Sequence, residues 1–320
     1  MELLLRLAAV ALVAAAFVAA DGTGTLSPSF YDATCPGLQP AVRRGVAQAV
    51  KKEARMGASL LRLFFHDCFV QGCDASILLD DTANFTGEKS AAPNANSLRG
   101  YEVIDAIKAE VEASCKATVS CADIVALAAR DAVNLLGGPS WPVLLGRRDA
   151  LMTTKAAAED SLPSPTSRLP QLLHSFSKKG LNARDLVALS GAHSVGMAHC
   201  SNFREHVYKD TKINMTYAAQ LRAKVCPFVG GDDNLAPLEL QKPDKFDNGF
   251  FNDVITGQVL LRTDQELLGS SGSHGTTDAL VREYAANADR FAAEFAMAMI
   301  KLGNMAVQDG EVRLNCRRPN

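Results

Sequence analysis

Residues 59–68, Ser-Leu-Leu-Arg-Leu-Phe-Phe-His-Asp-Cys, are apolar on nearly every side of a helix, yet they include Arg62, His66 and Asp67. A helix that is apolar all round is buried, and an isolated buried charge is costly unless it is paired or used. Arg62 and His66 are four residues apart and share one helical face. There a guanidinium and an imidazole can stabilise a developing anion and move a proton. The segment alone leaves a structural pair and a reactive pair equally open.

Helical periodicity extends over most of the chain, and strand patterns are nearly absent. The 320 residues, with a net charge of −2, allow one large domain or two fused lobes. The prediction is an all-α fold, in which the proline-rich segment 139–170 is a long connection with little regular structure. The predicted helices cover approximately residues 39–55, 101–113, 121–136, 181–189, 217–225, 248–255 and 278–303.

The first twenty residues predict a secretory signal peptide. Arg6 precedes an apolar run over 7–20 that ends in small residues suited to cleavage after Ala20. The run is shorter than the ~20 residues that span a bilayer, and no later segment is a candidate span. The mature domain is therefore expected to cover residues 21–320. In an exported protein, eight cysteines predict a framework of disulfides. The sequence itself suggests only one pair, Cys68 with Cys73, because a short loop separates them.

Two sequons, at Asn84 and Asn214, predict glycosylated surface loops in a secreted protein. Lysine and arginine are spread along the chain and aromatic residues make up 6% of it, so neither a basic patch nor a stacking surface for nucleic acid is visible.

Two of the six histidines, His66 and His193, stand among apolar or small residues. His193 lies in Leu-Ser-Gly-Ala-His-Ser-Val-Gly over 189–196, where small neighbours let a bulky group approach its ring. Since most single histidines are not ligands, a core histidine satisfied by its neighbours is the alternative.

Segments 63–76, LFFHDCFVQGCDAS, and 189–196, LSGAHSVG, resemble the two signature motifs of the class III secretory plant peroxidases, which are haem enzymes. The resemblance extends to 30–36, 93–100, 121–131, 141–149 and 246–248, and so covers nearly the whole mature chain. It implies two helical lobes around haem b, with His193 as the axial iron ligand. His66 would take a proton from hydrogen peroxide and return it to the far oxygen, while Arg62 stabilises the separating charge. Two one-electron donors, expected to be small phenolic compounds, would then restore the enzyme.

The same resemblance assigns further roles around the two histidines. Asn94 would hydrogen-bond His66, Glu88 would extend that network, and Phe65 would limit access to the iron. Asp264 would accept the other N–H of His193 and make it a stronger donor. The carbonyl of Pro163 would receive the phenolic hydrogen, and the haem propionates would contact Arg55, Ser59 and Ser97. The implied disulfides are Cys35–Cys115, Cys68–Cys73, Cys121–Cys316 and Cys200–Cys226.

Calcium is expected beside the first motif. Side chains of Asp67, Asp74 and Ser76, with the carbonyls of Val70 and Gly72, offer five oxygens within one loop and match the distal calcium site of the family. A solvated acidic loop is the alternative.

The proximal calcium site departs from the family pattern. Ser194 is an acceptable oxygen ligand, but Glu239 stands where an aspartate is usual, and Lys242 places an ammonium where a threonine is usual, before Asp247. We therefore expect no calcium here, with Lys242 paired to Asp247 or Glu239. The alternative is that Lys242 turns to solvent and calcium binds through fewer protein ligands.

A secreted, monomeric haem peroxidase is the leading hypothesis, and release outside the cell is favoured over the vacuole because no clear extension follows Cys316. A catalytically silent extracellular glycoprotein is the competing class, but it should have lost Arg62, His66 or His193. A catalase-like activity is a third possibility. The presence of Arg62 and His66 beside Phe65 favours a peroxidase over it.

Overall fold

The computed structural model describes residues 26–269, 276–305 and 309–320, so the predicted signal peptide lies outside it. Within these ranges the chain forms thirteen α-helices and one two-stranded antiparallel sheet, and the all-α prediction is confirmed. The helices are α1 Leu38–Lys52, α2 Arg55–Gln71, α3 Tyr101–Ser114, α4 Cys121–Leu135, α5 Lys155–Ser161, α6 Leu169–Lys178, α7 Ala183–Ser190, α8 Cys200–Lys209, α9 Met215–Lys224, α10 Gly249–Thr256, α11 Arg262–Gln265, α12 Thr277–Ala286 and α13 Ala288–Gly303, and the strands are β1 Met197–His199 and β2 Leu235–Pro237.

Helix α2 contains the segment 59–68 and lies in the centre of the fold. Its apolar side chains, among them Leu60, Leu63 and Phe64, pack chiefly against α4, and α13 crosses the same core. Burial of such side chains on both sides is what an all-round apolar helix requires. A second, smaller core joins α8 and α9 to the sheet through Phe203 and Leu221.

The local sequence determines the helix and the turn that lead to His193. Helix α7 begins at a reciprocal cap in which Asn182 accepts the backbone N–H of Asp185 and the Asp185 carboxylate accepts that of Asn182. The helix ends at Ser190, and a 3₁₀ turn, Gly191–Ser194, follows with His193 in it. A Cβ on Gly191 would lie 2.3 Å from the Phe291 ring, so only glycine lets this turn approach the core so closely.

Two segments differ from the sequence prediction. The helix predicted over 278–303 is divided at Asn287, which has φ −140° and ψ 94° and caps α13 by accepting the N–H of Arg290. Segment 139–170, predicted to have little regular structure, contains α5, whose N-terminus is capped by Thr154. A short polar cap thus interrupts a continuous helical pattern at Asn287, whereas at Thr154 a cap starts a short helix in a segment without a long pattern.

Four disulfides tie the fold together, and they join the same cysteines as the family resemblance implies. Cys121–Cys316 brings the C-terminal segment to the start of α4. There the Asp149 carboxylate accepts N–H groups from Cys121, Ala122 and Arg313. Among the described residues, none of the helices has both the length and the apolar character needed to cross a membrane.

Candidate active site

One face of α2 is incompletely covered by the rest of the protein. Arg55, Ala58, Ser59, Arg62 and Phe65 recur at helical spacing and are only partly buried, whereas their neighbours on the other faces are buried. Phe65 stacks on Phe69 with ring centroids 4.8 Å apart. This stripe is a half-exposed apolar and cationic surface directly beside His66.

His66 is held by a chain of two hydrogen bonds. Asn94 donates its amide N–H to the Glu88 carbonyl at 2.9 Å, so its Oδ1 faces His66 and accepts the Nδ1–H of that ring at 2.6 Å. The Nε2 of His66 is therefore the unprotonated nitrogen. Burial first, and then the Arg62 charge, lower the pKa of His66 well below its ordinary value, against the opposing effect of the Asn94 hydrogen bond. The ring is neutral at pH 7 and can accept a proton.

Arg62 is held in place by hydrogen bonds to segment 93–100, which precedes α3. Its guanidinium donates to the carbonyls of Ser97 at 3.0 Å and Pro93 at 2.9 Å, and to the Ser97 hydroxyl at 3.2 Å. Burial is the main cause that lowers the pKa of Arg62 to about 10. The group stays charged at pH 7, and its partners among the described residues are neutral, so its charge remains available to an anion.

His193 is oriented by Asp264 on α11. The carboxylate can only accept, so the 2.8 Å contact with Nδ1 is an N–H donated by the ring, and Nε2 carries the lone pair. The Phe250 ring meets the imidazole edge to face at 5.9 Å, yet 34% of the His193 side chain stays exposed. Burial would lower the pKa of His193, but the charge and hydrogen bond of Asp264 outweigh it and raise the pKa.

The two histidine segments lie close to each other. Gly196, three residues after His193, is so near α2 that a Cβ on it would stand 3.0 Å from the Ala58 Cβ. The Arg62 charge also acts against protonation of His193. An imidazole whose Nδ1–H is held by Asp264, so that Nε2 is left for a metal ion, lies beside a half-exposed stripe with Arg55 and Arg62. This arrangement suits a flat, apolar, anionic iron macrocycle, so these residues fit haem.

Buried acids cluster behind His66 at the end of α2. Asp67 Oδ2 accepts the Ala75 N–H and Asp74 Oδ1 accepts the Ser76 N–H, while Asp67 Oδ1 is buried without a hydrogen-bond partner among the described residues. Burial, followed by the charges of Asp74 and Glu88, raises the pKa of Asp67 well above its usual range. Burial likewise raises the pKa of Glu88 to about 7. The three buried carboxyls repel one another, and Asp67 and Glu88 each have a buried oxygen without a hydrogen-bond partner among the described residues, so the cluster fits a calcium ion.

The other predicted calcium ligands lie in the last turn of α2 and in the segment that follows it. Gly72 ends α2 with φ +105°, a conformation suited to glycine, and so turns the chain back toward Asp67. Ser76 donates its hydroxyl to Glu88 at 2.7 Å. The Val70 carbonyl accepts the Lys179 ammonium at 2.6 Å and the Ser161 hydroxyl at 3.4 Å.

The remaining predicted site residues lie at the edges of the same region. Pro163 is half buried in the loop between α5 and α6, and Ser59 and Arg55 lie on the exposed stripe of α2. Asn84 is exposed. Asn214 is exposed as well and caps α9 through Oδ1, which leaves its amide nitrogen for a glycan. Ser194, Glu239 and Asp247 lie on the proximal side, in the two segments around β1 and β2.

Three contacts in the site were not predicted from the sequence. Phe250 packs on His193, Thr153 donates to Glu88 at 2.5 Å, and Lys179 binds the Val70 carbonyl. The last two join residues 65 and 109 positions apart, and none of the three belongs to a motif with its own pattern. The nearest sequence signal was the buried, aromatic character of α10.

An all-helical fold that presents an oriented histidine beside a carboxylate, and a second histidine beside an arginine, is that of a haem peroxidase. A family model described as peroxidase matches residues 42–287. Peroxidase 70 of Zea mays is 51% identical over 307 residues, which cover 94% of each chain. Peroxidase 4 of Vitis vinifera is 49% identical over 316 residues, or 97% of each chain. The chain belongs to the peroxidase family, and the resemblance to class III plant peroxidases is confirmed.

Proposed function

We propose that this peroxidase reduces hydrogen peroxide and oxidises small phenolic or other aromatic donors in two one-electron steps, with His66 and Arg62 acting on the peroxide. The observation that supports this most strongly is the tautomer of His66. Asn94 holds the proton on Nδ1, which leaves Nε2 as a base on the face that Arg62 shares. A peroxidase needs a base and a fixed positive charge side by side.

The residues that would hold haem b are His193, through Nε2, and the propionate partners Arg55, Ser59 and Ser97. Haem supplies the iron that binds peroxide and stores the oxidising equivalents that donors later consume. Asp264 keeps the proton on Nδ1 of His193 and increases the electron donation of Nε2, which favours high oxidation states.

His66 would work in two strokes, first as a base and then as an acid. It takes a proton from hydrogen peroxide at Nε2, and its depressed pKa returns that proton to the departing oxygen readily. Arg62 donates N–H groups toward the oxygen that gains charge as the O–O bond separates. Phe65, on the same stripe, restricts the space to a small oxidant, and the Pro163 carbonyl is the proposed acceptor for a phenolic hydrogen.

The absorption spectrum of the purified, haem-loaded enzyme tests this function. We expect a Soret band that shifts with one equivalent of hydrogen peroxide and is restored by two equivalents of a simple phenol. A silent glycoprotein would show neither change, and a catalase-like enzyme would consume peroxide without phenol. Lack of a Soret band in protein purified with added haem would refute the proposal.

Asn94 offers a test of the His66 tautomer. Asn94→Leu removes the acceptor for Nδ1–H, so the proton is free to occupy Nε2 and block the base. We expect the peroxide rate constant to fall by roughly tenfold to a hundredfold, less than loss of the base itself. Stopped-flow absorption measures this rate, and Asn252→Leu, at an exposed position of α10, is the matched control. An unchanged peroxide rate constant in Asn94→Leu would contradict the proposed role of Asn94 in orienting His66.

The proposed distal calcium is held by Asp67, Asp74 and Ser76 with the carbonyls of Val70 and Gly72. Treating the loaded enzyme with a chelator should lower its melting temperature by roughly 5 °C or more, because an ion bound only by the folded state stabilises it. Asp67→Asn should reproduce this loss without chelator, whereas Asp160→Asn, on the exposed side of α5, should not. Thermal unfolding, together with analysis of the bound calcium, tests this prediction. A parent enzyme whose melting temperature does not change with chelator would contradict the distal calcium site.

We further propose that the protein is secreted, acts outside the cell rather than in the vacuole, and is a monomer. Secretion is supported by the signal-peptide pattern and by four disulfides, which persist in oxidising compartments.

A further inference from the structure

The segment between β2 and α10, residues 238–248, packs against the chain that leaves His193. Leu238 donates its backbone N–H to the Gly196 carbonyl at 3.0 Å, and Gly196 donates to the Pro243 carbonyl at 3.2 Å. Ser194 is therefore a near neighbour of this segment, which we call the proximal loop. The loop is the place at which the family resemblance implies a second calcium.

Two side-chain carboxylates meet at the proximal loop, and the Ser194 hydroxyl lies two residues before Gly196 in the segment that packs on it. The Ser194 hydroxyl is buried and has no hydrogen-bond partner among the described residues. A Cβ on Gly249 would lie 2.9 Å from Glu239 Oε1 and 3.0 Å from Asp247 Oδ1, so the two carboxylates converge on one point. Calcium takes six to eight oxygens, and this chain has a lysine where the family supplies a further hydroxyl.

The two carboxylates already have partners. Glu239 is 1% exposed and accepts the backbone N–H groups of Gln241 at 3.0 Å and Lys242 at 2.5 Å. Asp247 Oδ2 lies 3.7 Å from the Lys242 ammonium and 3.8 Å from the Lys245 ammonium. Asp247 Oδ1 also accepts the backbone N–H of Gly249 at 2.8 Å. Peptide N–H groups thus bind both acids, and two largely exposed lysines add positive charge beside Asp247.

The charges of Glu239 and Asp247 are matched by those of two lysines at the proximal loop. Glu239 and Asp247 contribute two negative charges, and Lys242 and Lys245 contribute two positive ones. Of the other nearby acids, Asp244 is exposed to solvent, and Asp253 is buried and accepts the Leu240 N–H. A dication at Asp247 would stand beside two ammonium groups and repel both.

We propose that the proximal loop is closed by lysine in place of calcium, so that the enzyme holds one calcium, at the distal site, and none near His193. Lys242 and Lys245 balance Asp247, and the backbone holds Glu239. The inference rests on the proposed haem and distal calcium sites. Its consequence is that the proximal half of the enzyme keeps its structure when calcium is removed.

Calcium per polypeptide, measured after desalting the haem-loaded enzyme, tests this proposal. We expect one calcium in the parent and none in Asp67→Asn. The double substitution Glu239→Asp with Lys242→Thr shortens the acid and exchanges the ammonium for a hydroxyl. It should bind two calcium ions and gain a second calcium-dependent rise in melting temperature. Lys224→Thr, an exposed lysine on α9, is the control and should bind one.

Two results would overturn the proposal. One is two calcium ions in the parent, and the other is a folded double variant that still binds one. If the double variant does not fold, Lys242→Thr alone is measured at increasing calcium, and occupancy that never exceeds one also contradicts the proposal. The number of calcium ions per polypeptide tests this inference separately from the haem proposal, because haem content is measured independently by the Soret band.

Discussion

His66→Ala should slow the reaction of the loaded enzyme with hydrogen peroxide by about 10²–10⁴-fold and leave haem bound. The substitution removes the only neutral base on the half-exposed face of α2, while Arg62 keeps its contacts with Ser97 and Pro93. Stopped-flow measurement of the peroxide rate constant, with haem content from the Soret band, separates the two effects. His174→Ala, at an exposed position on α6, provides the control.

The size of this effect distinguishes a base from a structural histidine. A merely structural His66 would change the melting temperature and haem content of the variant more than its rate constant. An equal peroxide rate in His66→Ala and the parent would contradict the assigned role. His66→Ala should raise the barrier to proton transfer from hydrogen peroxide. The rate constant for the later reaction with a phenol should therefore fall much less than the rate constant for the reaction with peroxide.

His193→Ala should abolish stable haem binding, which is the second large effect we expect. The substitution removes the imidazole whose Nε2 would bind the iron and leaves the buried Asp264 without the N–H that it accepts. We expect little or no Soret absorption after purification with added haem, and recovery of part of it with free imidazole. His174→Ala again serves as control.

Asp264→Asn separates haem retention from haem chemistry. The amide can still accept the Nδ1–H, so haem should stay bound, but the negative charge is gone and the ligand donates less. We expect the iron reduction potential to rise relative to the parent. Full haem retention in His193→Ala would refute the ligand assignment, and an unchanged potential in Asp264→Asn would refute the role of its charge.

The sequence predicted the positions of most helices because apolar stripes repeat at helical spacing and glycine or short polar caps end them. Arg62 and His66 could be paired from the sequence because they lie on one turn of one helix. The partner of His193 could be named only by resemblance, because Asp264 is 71 residues away and no periodicity connects them.

Other features depend on tertiary packing that no local pattern records. Asn287 divides the last long helical pattern because its cap competes with one more helical turn. Lys179 reads as a surface lysine in sequence, yet the packing of α6 near α2 brings its ammonium to the Val70 carbonyl. The pairing of Lys242 with Asp247 or Glu239 could be expected from charge alone, but only the structure shows that Asp247 is the acid beside the Lys242 ammonium.

The segment that contains Arg313 and Cys316 has a consequence for biogenesis. Arg313 is fully buried and donates to the Ala75 carbonyl in the distal loop, and Cys316 bonds to Cys121, 195 residues earlier. The ribosome therefore makes last the side chains that complete the first-made part of this enzyme. We expect the N-terminal part to reach its final packing only after the C-terminal segment has been synthesised.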